Sequence, residues 1–156
     1  MSKPQGKPRI ALIGTGGTIG SLGRGPFDIA DYATLGKVMD AEQLLAYWPQ
    51  VHEVAEVVAV KYAAIPSTAL GPKEWLELVR LCDQVVAEIP GLDGIVITHG
   101  TATLEETAYF LSLTVKVEVP VVLVGAQRPS SGLSSDAGMN LAHACRVAGA
   151  PRASGL

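Results

Sequence analysis

Hydroxyl side chains cluster at three separate places in this chain, two of them beside glycines. Thr15 and Thr18 lie in Gly14-Thr15-Gly16-Gly17-Thr18-Ile19-Gly20, Ser67 and Thr68 follow Pro66, and Thr98, Thr101 and Thr103 bracket His99-Gly100. A threonine between glycines at a strand end can present its Oγ1 while nearby backbone N–H groups face the same pocket. That combination supplies a nucleophile and oxyanion donors for acyl transfer, and Thr18 is the best-placed candidate. Thr101 precedes a predicted helix, whose first N–H groups and positive partial charge favour a carboxylate or a developing oxyanion. Ser67 is a candidate for holding a substrate carboxylate. Each has a plainer reading: a tight glycine turn that Thr18 merely caps, an N-cap threonine at 101, and a turn serine at 67.

Other chemistries fit less well. Gly14, Gly16 and Gly20 give G-x-G-x-x-x-G, one residue off the dinucleotide fingerprint, and neither an acidic residue at the end of a second strand nor a G-K-[ST] P-loop accompanies it. His52, His99 and His143 are far apart and lack zinc-ligand spacing, so no metal is expected. His99, following a buried run, reads as an internal histidine bonded to a loop rather than as a general base. No G-x-S-x-G elbow offers a serine nucleophile. Arg128 and Asp136 frame a loop that an ion pair or a helix cap would fix, and Met139 and Cys145 read as helix packing.

These groups need a scaffold that brings loops together. Arg9 to Gly14 is a short apolar run ending in glycine, a buried strand, and the loop after it has six glycines in the twelve positions from 14 to 25. Asp40 with Gln43 forms a capping box for a helix from Ala41 to Trp48, stopped by Pro49. Val54 to Tyr62 alternates as a second strand. Pro72 opens a helix with the stripe Trp75, Leu78, Val79, Cys82, Val85, Val86 and Ile89. Gly94 to Thr98 is a third strand, and Thr103 with Glu106 predicts a capping box for a helix carrying Leu104, Ala108, Leu111 and Val115. Val121 to Val124 is a fourth strand, followed by a loop to Ser135 and a helix from about Asp136 to Ala148. Strands alternating with helices give an α/β fold, an open parallel sheet with helices on both faces. Such sheets bind ligands at the carboxyl ends of their strands, where all the hydroxyls above fall.

The composition agrees. The 156 residues are 48% hydrophobic and carry 12 Lys+Arg against 15 Asp+Glu, a formal net charge of −3. One domain over residues 1–156 is expected, and no basic block suits nucleic acid. The basic start Met1 to Arg9 is followed by an apolar run, Ile10 to Ile13, too short for a signal peptide, and no stretch suits a membrane span. A soluble, cytoplasmic chain is the expectation. Only 17% of residues are charged, below the usual quarter, which suggests surface covered in a homo-oligomer.

Leu12-Ile13-Gly14-Thr15-Gly16-Gly17-Thr18-Ile19-Gly20 resembles the first signature of the bacterial-type L-asparaginases and glutaminase-asparaginases. Ile97-Thr98-His99-Gly100-Thr101, continued by Thr103-Leu104-Glu105-Glu106-Thr107-Ala108-Tyr109-Phe110-Leu111, is similar to their second signature. Val122-Leu123-Val124-Gly125-Ala126-Gln127-Arg128-Pro129 with Asp136 and Asn140 resembles the segment that follows. The resemblance implies the α/β fold of that family's N-terminal domain, without its C-terminal domain, and hydrolysis of a side-chain amide through an acyl-enzyme with no cofactor. It implies Thr18 as nucleophile, Thr101 as second catalytic threonine, Tyr32 as the residue assisting Thr18, and Ser67 as holder of the substrate α-carboxylate. Thr68 stands where glutamine is common, and Gly17 and Gly100 line the substrate site.

Two departures accompany it. The second signature normally reads His-Gly-Thr-Asp-Thr, and Ala102 replaces the aspartate that helps bind the amino acid head group. A methyl cannot accept a charge-assisted hydrogen bond from an ammonium, so affinity or selectivity should shift by about 1.5–3 kcal/mol. The family lysine that partners the second threonine lies beyond the stretch matched here, leaving Tyr32 and solvent to activate Thr18. An L-asparaginase with side activity on glutamine is therefore expected, against two alternatives: a non-catalytic domain binding a small amino acid or carboxylate, and a nucleotide-binding α/β domain.

Overall fold

The computed structural model describes residues 6–153; residues 1–5 of the basic start and 154–156 of the terminal Gly/Ser segment lie outside them. Four strands, β1 (Arg9–Gly14), β2 (Glu56–Val60), β3 (Gly94–Thr98) and β4 (Val121–Val124), form one sheet in the order β2-β1-β3-β4. All its pairings are parallel. Four helices alternate with them: α1 (Ala41–Tyr47), α2 (Pro72–Glu88), α3 (Leu104–Thr114) and α4 (Ala137–Ala148).

The central strands are apolar on both sides because both sides are covered. Ile10 and Leu12 of β1 and Val96 of β3 pack with Leu44 and Leu45 of α1 and Leu141 and Cys145 of α4. Ala11, Ile13, Ile95 and Ile97 face the other way, against Leu78, Cys82 and Val85 of α2 and Leu111 of α3. Each fully buried Leu or Ile contributes about 1.5–3 kcal/mol of transfer free energy. The two cysteines belong to these clusters; burial pushes their thiols up, to about 12 for Cys82 and about 11 for Cys145.

Local chemistry sets the element boundaries. The Asp40 carboxylate accepts the Gln43 N–H at 2.8 Å and the Gln43 side chain accepts the Asp40 N–H at 3.1 Å, the reciprocal box that starts α1. The helix ends at Tyr47, and Pro49 opens a 3-10 turn running to Glu53. Strand β2 is shorter than its valine pattern suggests, because the Val54 and Ala55 amides turn back to Val51 O instead of joining the ladder. The box expected at Thr103 does not form. Thr103 is the N-cap of α3 without a side-chain cap, and its hydroxyl donates to Ser67 O at 2.7 Å. Met139 is a second correction: it lies on the outer face of α4 and is 63% exposed.

The order β2-β1-β3-β4 matters for the site. From β1 the chain moves to one side and then returns past β1 to β3, which makes the β1/β3 boundary the switch point of the sheet, the place where open parallel sheets bind ligands. Gly14 pairs with Thr98, which sets the two loop starts level.

Candidate active site

Both loops that matter leave this switch point. Thr15 follows β1, is fully buried, and binds Thr98 O twice, with its hydroxyl at 2.7 Å and its N–H at 3.3 Å. Its own carbonyl accepts the Ile65 N–H at 2.8 Å. The loops after β1, β2 and β3 are thus tied at one residue.

Beyond Thr15 the chain needs glycine. Gly16 and Gly17 have φ of 102° and 86°, and Gly17, with ψ of 175°, occupies a region open to glycine almost alone. A Cβ on Gly17 would lie 2.5 Å from Gly100 N and 2.6 Å from Gly100 Cα, and one on Gly100 would lie 2.6 Å from Ser67 Oγ. The glycines are spent on close packing of three loops against one another. Thr18, next after Gly17, and Thr101, next after Gly100, therefore belong to one neighbourhood, with Ser67 beside them.

Thr18 is half-buried and opens the single 3-10 turn Thr18–Gly20. Its Oγ1 lies 2.8 Å from Tyr32 Oη, in hydrogen-bond range for either direction of donation. Tyr32, half-buried, begins another such turn, Tyr32–Leu35. Thr101 and Ala102 are exposed between β3 and α3, and a Cβ added to Gly125 would stand 2.9 Å from the Thr101 methyl. Ser67 is 8% exposed in the turn Ser67–Ala69, while Thr68 points to solvent.

Under the Gly100 turn runs a buried polar chain. Trp75 Nε1–H donates to Thr107 Oγ1 at 2.9 Å, and Thr107 Oγ1 lies 2.9 Å from His99 Nε2. Gly100 O can only accept, so His99 carries its proton on Nδ1, and in the neutral ring Nε2 is left to accept the Thr107 hydroxyl proton. His99 is then the Nδ1–H tautomer and donates to Gly100 O at 2.7 Å. Burial lowers the pKa of His99, outweighing the Gly100 hydrogen bond and the charges of Glu106 and Glu105, and the ring stays neutral. His99 is an internal histidine, as its place after a buried run suggests.

The loop after β4 closes the site from behind. Burial pushes the Asp136 carboxyl up, but N–H donation from Gln127, Arg128 and Asp136 itself and the Asn140 side chain together hold it below its ordinary 3.8. Asp136 thus fixes this loop through backbone donors at 3.0 and 2.9 Å, from Gln127 and Arg128 respectively. Ser130 also contributes, 3% exposed and donating to Ile19 O at 2.6 Å. Nothing in its sequence context marks it, since Ile19 is 111 residues away in the chain. Among the described residues, no group of three or more His, Cys, Asp or Glu side chains is placed to hold a metal ion.

Residues 9–156 match the N-terminal domain of asparaginases. The chain belongs to the asparaginase family. It is 40% identical to L-asparaginase 2 of Bacillus subtilis (strain 168) over 154 residues, 99% of this chain and 40% of that protein. It is 42% identical to a glutaminase-asparaginase of Pseudomonas aeruginosa over 153 residues, 97% of this chain and 41% of that one. The crystal structure of a probable cytoplasmic L-asparaginase from Campylobacter jejuni superposes with a TM-score of 0.83 at 40% identity, covering 96% of this chain and 44% of that chain. The asparaginase-like chain spans about two fifths of the length of the curated relatives it matches.

Proposed function

We propose that residues 1–156 act as one asparaginase-like α/β domain that hydrolyses the side-chain amide of L-asparagine to L-aspartate and ammonia, with a lesser activity on L-glutamine. The observation carrying this reading is the 2.8 Å contact between Thr18 Oγ1 and Tyr32 Oη beside the packed backbones of Gly17 and Gly100. Relatives called L-asparaginase and glutaminase-asparaginase support the substrate class.

In this mechanism Thr18 Oγ1 attacks the amide carbon. A free threonine hydroxyl is a poor nucleophile, so its proton must leave as the C–O bond forms. Tyr32 Oη receives that proton and returns one to the amide nitrogen, which departs as ammonia and leaves an ester on Thr18. Water then hydrolyses the ester by the reverse relay. Thr101 steadies the charge on the carbonyl oxygen, and donors aimed at such an oxyanion are commonly the largest single contribution to catalysis. Ser67 holds the α-carboxylate, with Gly17, Gly100, Thr68 and Ala102 around the head group.

The low charge content and exposed apolar side chains such as Tyr109 and Leu113 on α3, 69% and 67% exposed, support self-association as a homo-oligomer. Among the described residues no helix is long and apolar enough to cross a membrane, and a cytoplasmic location follows the name of the Campylobacter jejuni relative, although a Haemophilus influenzae relative is called periplasmic. Ammonia release from L-asparagine, compared between the purified chain and Thr18→Ala, tests the enzyme reading. We expect release from the first alone; equal background from both would leave a non-catalytic amino acid-binding domain.

A further inference from the structure

Ser130 makes three hydrogen bonds, two of them to the turn that carries Thr18 and its C-cap, and the third from Trp48. Its hydroxyl accepts the Trp48 Nε1–H at 2.9 Å and donates its single proton to Ile19 O at 2.6 Å. Its backbone N–H donates to Ser21 O at 3.0 Å. The grip continues along the segment leading toward Tyr32: Ser131 Oγ accepts the Gly23 N–H at 2.7 Å, and the Leu133 N–H donates to Pro26 O at 2.9 Å.

Both ends of this strut are fixed. Trp48 caps α1 and its ring fills the space over Gly138 of α4, where an added Cβ would fall 2.5 Å from the ring. The loop holding Ser130 is anchored to α4 by Asp136, and Asn140 donates to Gly125 O at 3.0 Å. With Trp48 N–H immobile on one side, the Ser130 hydroxyl proton has one acceptor, Ile19 O, the carbonyl one residue past Thr18.

We propose that Ser130, oriented by Trp48, is a positioning residue for the reaction: it holds the Thr18–Gly20 turn so that Thr18 Oγ1 stays aligned with Tyr32 Oη. The role rests on the amidohydrolase reading above. Ser67 and Thr101 belong to other loops that Ser130 does not bond, so its loss should impair the chemical step and spare substrate binding. Misplacing a reacting group by about an ångström costs on the order of 100-fold in rate.

The test compares the wild-type chain with Ser130→Ala and with Trp48→Phe, which keeps an aromatic ring but deletes the N–H. Steady-state ammonia release from L-asparagine is read alongside residue-resolved amide exchange. We expect kcat to fall about 10- to 100-fold in Ser130→Ala with KM within about threefold, and a smaller fall in Trp48→Phe. The Gly20 and Ser21 amides, which close the Thr18 turn, should exchange at least about tenfold faster while those of β1 and β3 are unchanged. Unchanged kcat, a rise in KM alone, or faster exchange spread over β1 and β3 overturns the proposal. If the wild-type chain releases no more ammonia than Thr18→Ala, the amidohydrolase reading fails by itself. Exchange then decides the strut: acceleration confined to Gly20 and Ser21 supports it, and none refutes it.

Discussion

Gly17 and Gly100, on loops that leave β1 and β3, are packed so that neither has room for a side chain: a Cβ on Gly17 would stand 2.5 Å from Gly100 N. Gly17→Ala meets this overlap and the glycine-only backbone together, each costing about 1–3 kcal/mol. The variant should lose about 2–6 kcal/mol in urea unfolding and at least about 100-fold in ammonia release. Gly25→Ala, where nothing lies within 4 Å, is the control and should stay within about 0.5 kcal/mol. Equal behaviour of the two variants would mean that the loops do not meet through Gly17.

Tyr32→Phe keeps the ring and deletes the oxygen 2.8 Å from Thr18 Oγ1. With Tyr32 as the proton relay, kcat for L-asparagine should fall about 100- to 10,000-fold with little change in KM. A fall of less than threefold would assign the proton transfer to another group.

Position 102 is exposed on the rim of the site. Ala102→Asp supplies a carboxylate to the substrate ammonium, worth about 1.5–3 kcal/mol, and kcat/KM for L-asparagine should rise about 10- to 100-fold. An amide lacking the α-amino group should show no such gain. An equal gain for both substrates would place the head group elsewhere.

The buried His99 makes stability depend on pH. Its folded pKa is lowered from 6.5 by burial, so below that value the unfolded chain binds a proton that the native ring refuses. Its contribution is complete above pH 6.5 and lost as pH falls from there toward the folded pKa, with a slope up to about 1.4 kcal/mol per pH unit. Urea unfolding of the wild type should show this loss as pH falls below 6.5, and His99→Gln should remove that component.

Strands β1, β3 and β4 are legible in the sequence because a strand packed on both faces, fully in β1 and β3 and partly in β4, is an unbroken apolar run, and their bounds fall where the runs end. Strand β2 reads too long, since Val54 and Ala55 have strand-like side chains while their amides close a turn on Val51. Thr103 and Glu106 have the spacing of a capping box, yet Ser67 O competes for the hydroxyl through a contact 36 residues away. The hydroxyls of the candidate site are legible because they follow strand ends. Ser130, and Trp75 as a hydrogen-bond donor, are not, because their meaning comes from Ile19 and Thr107, which only the fold brings near.

The central claim is that Thr18 Oγ1 attacks the amide. Acid quenching of the chain during turnover of L-asparagine, followed by mass spectrometry of its peptides, tests it most directly. An aspartyl ester on the peptide holding Thr18, absent from Thr18→Ala, is the predicted result. Ammonia release with the ester on Thr101, or with no ester at any threonine, would contradict it.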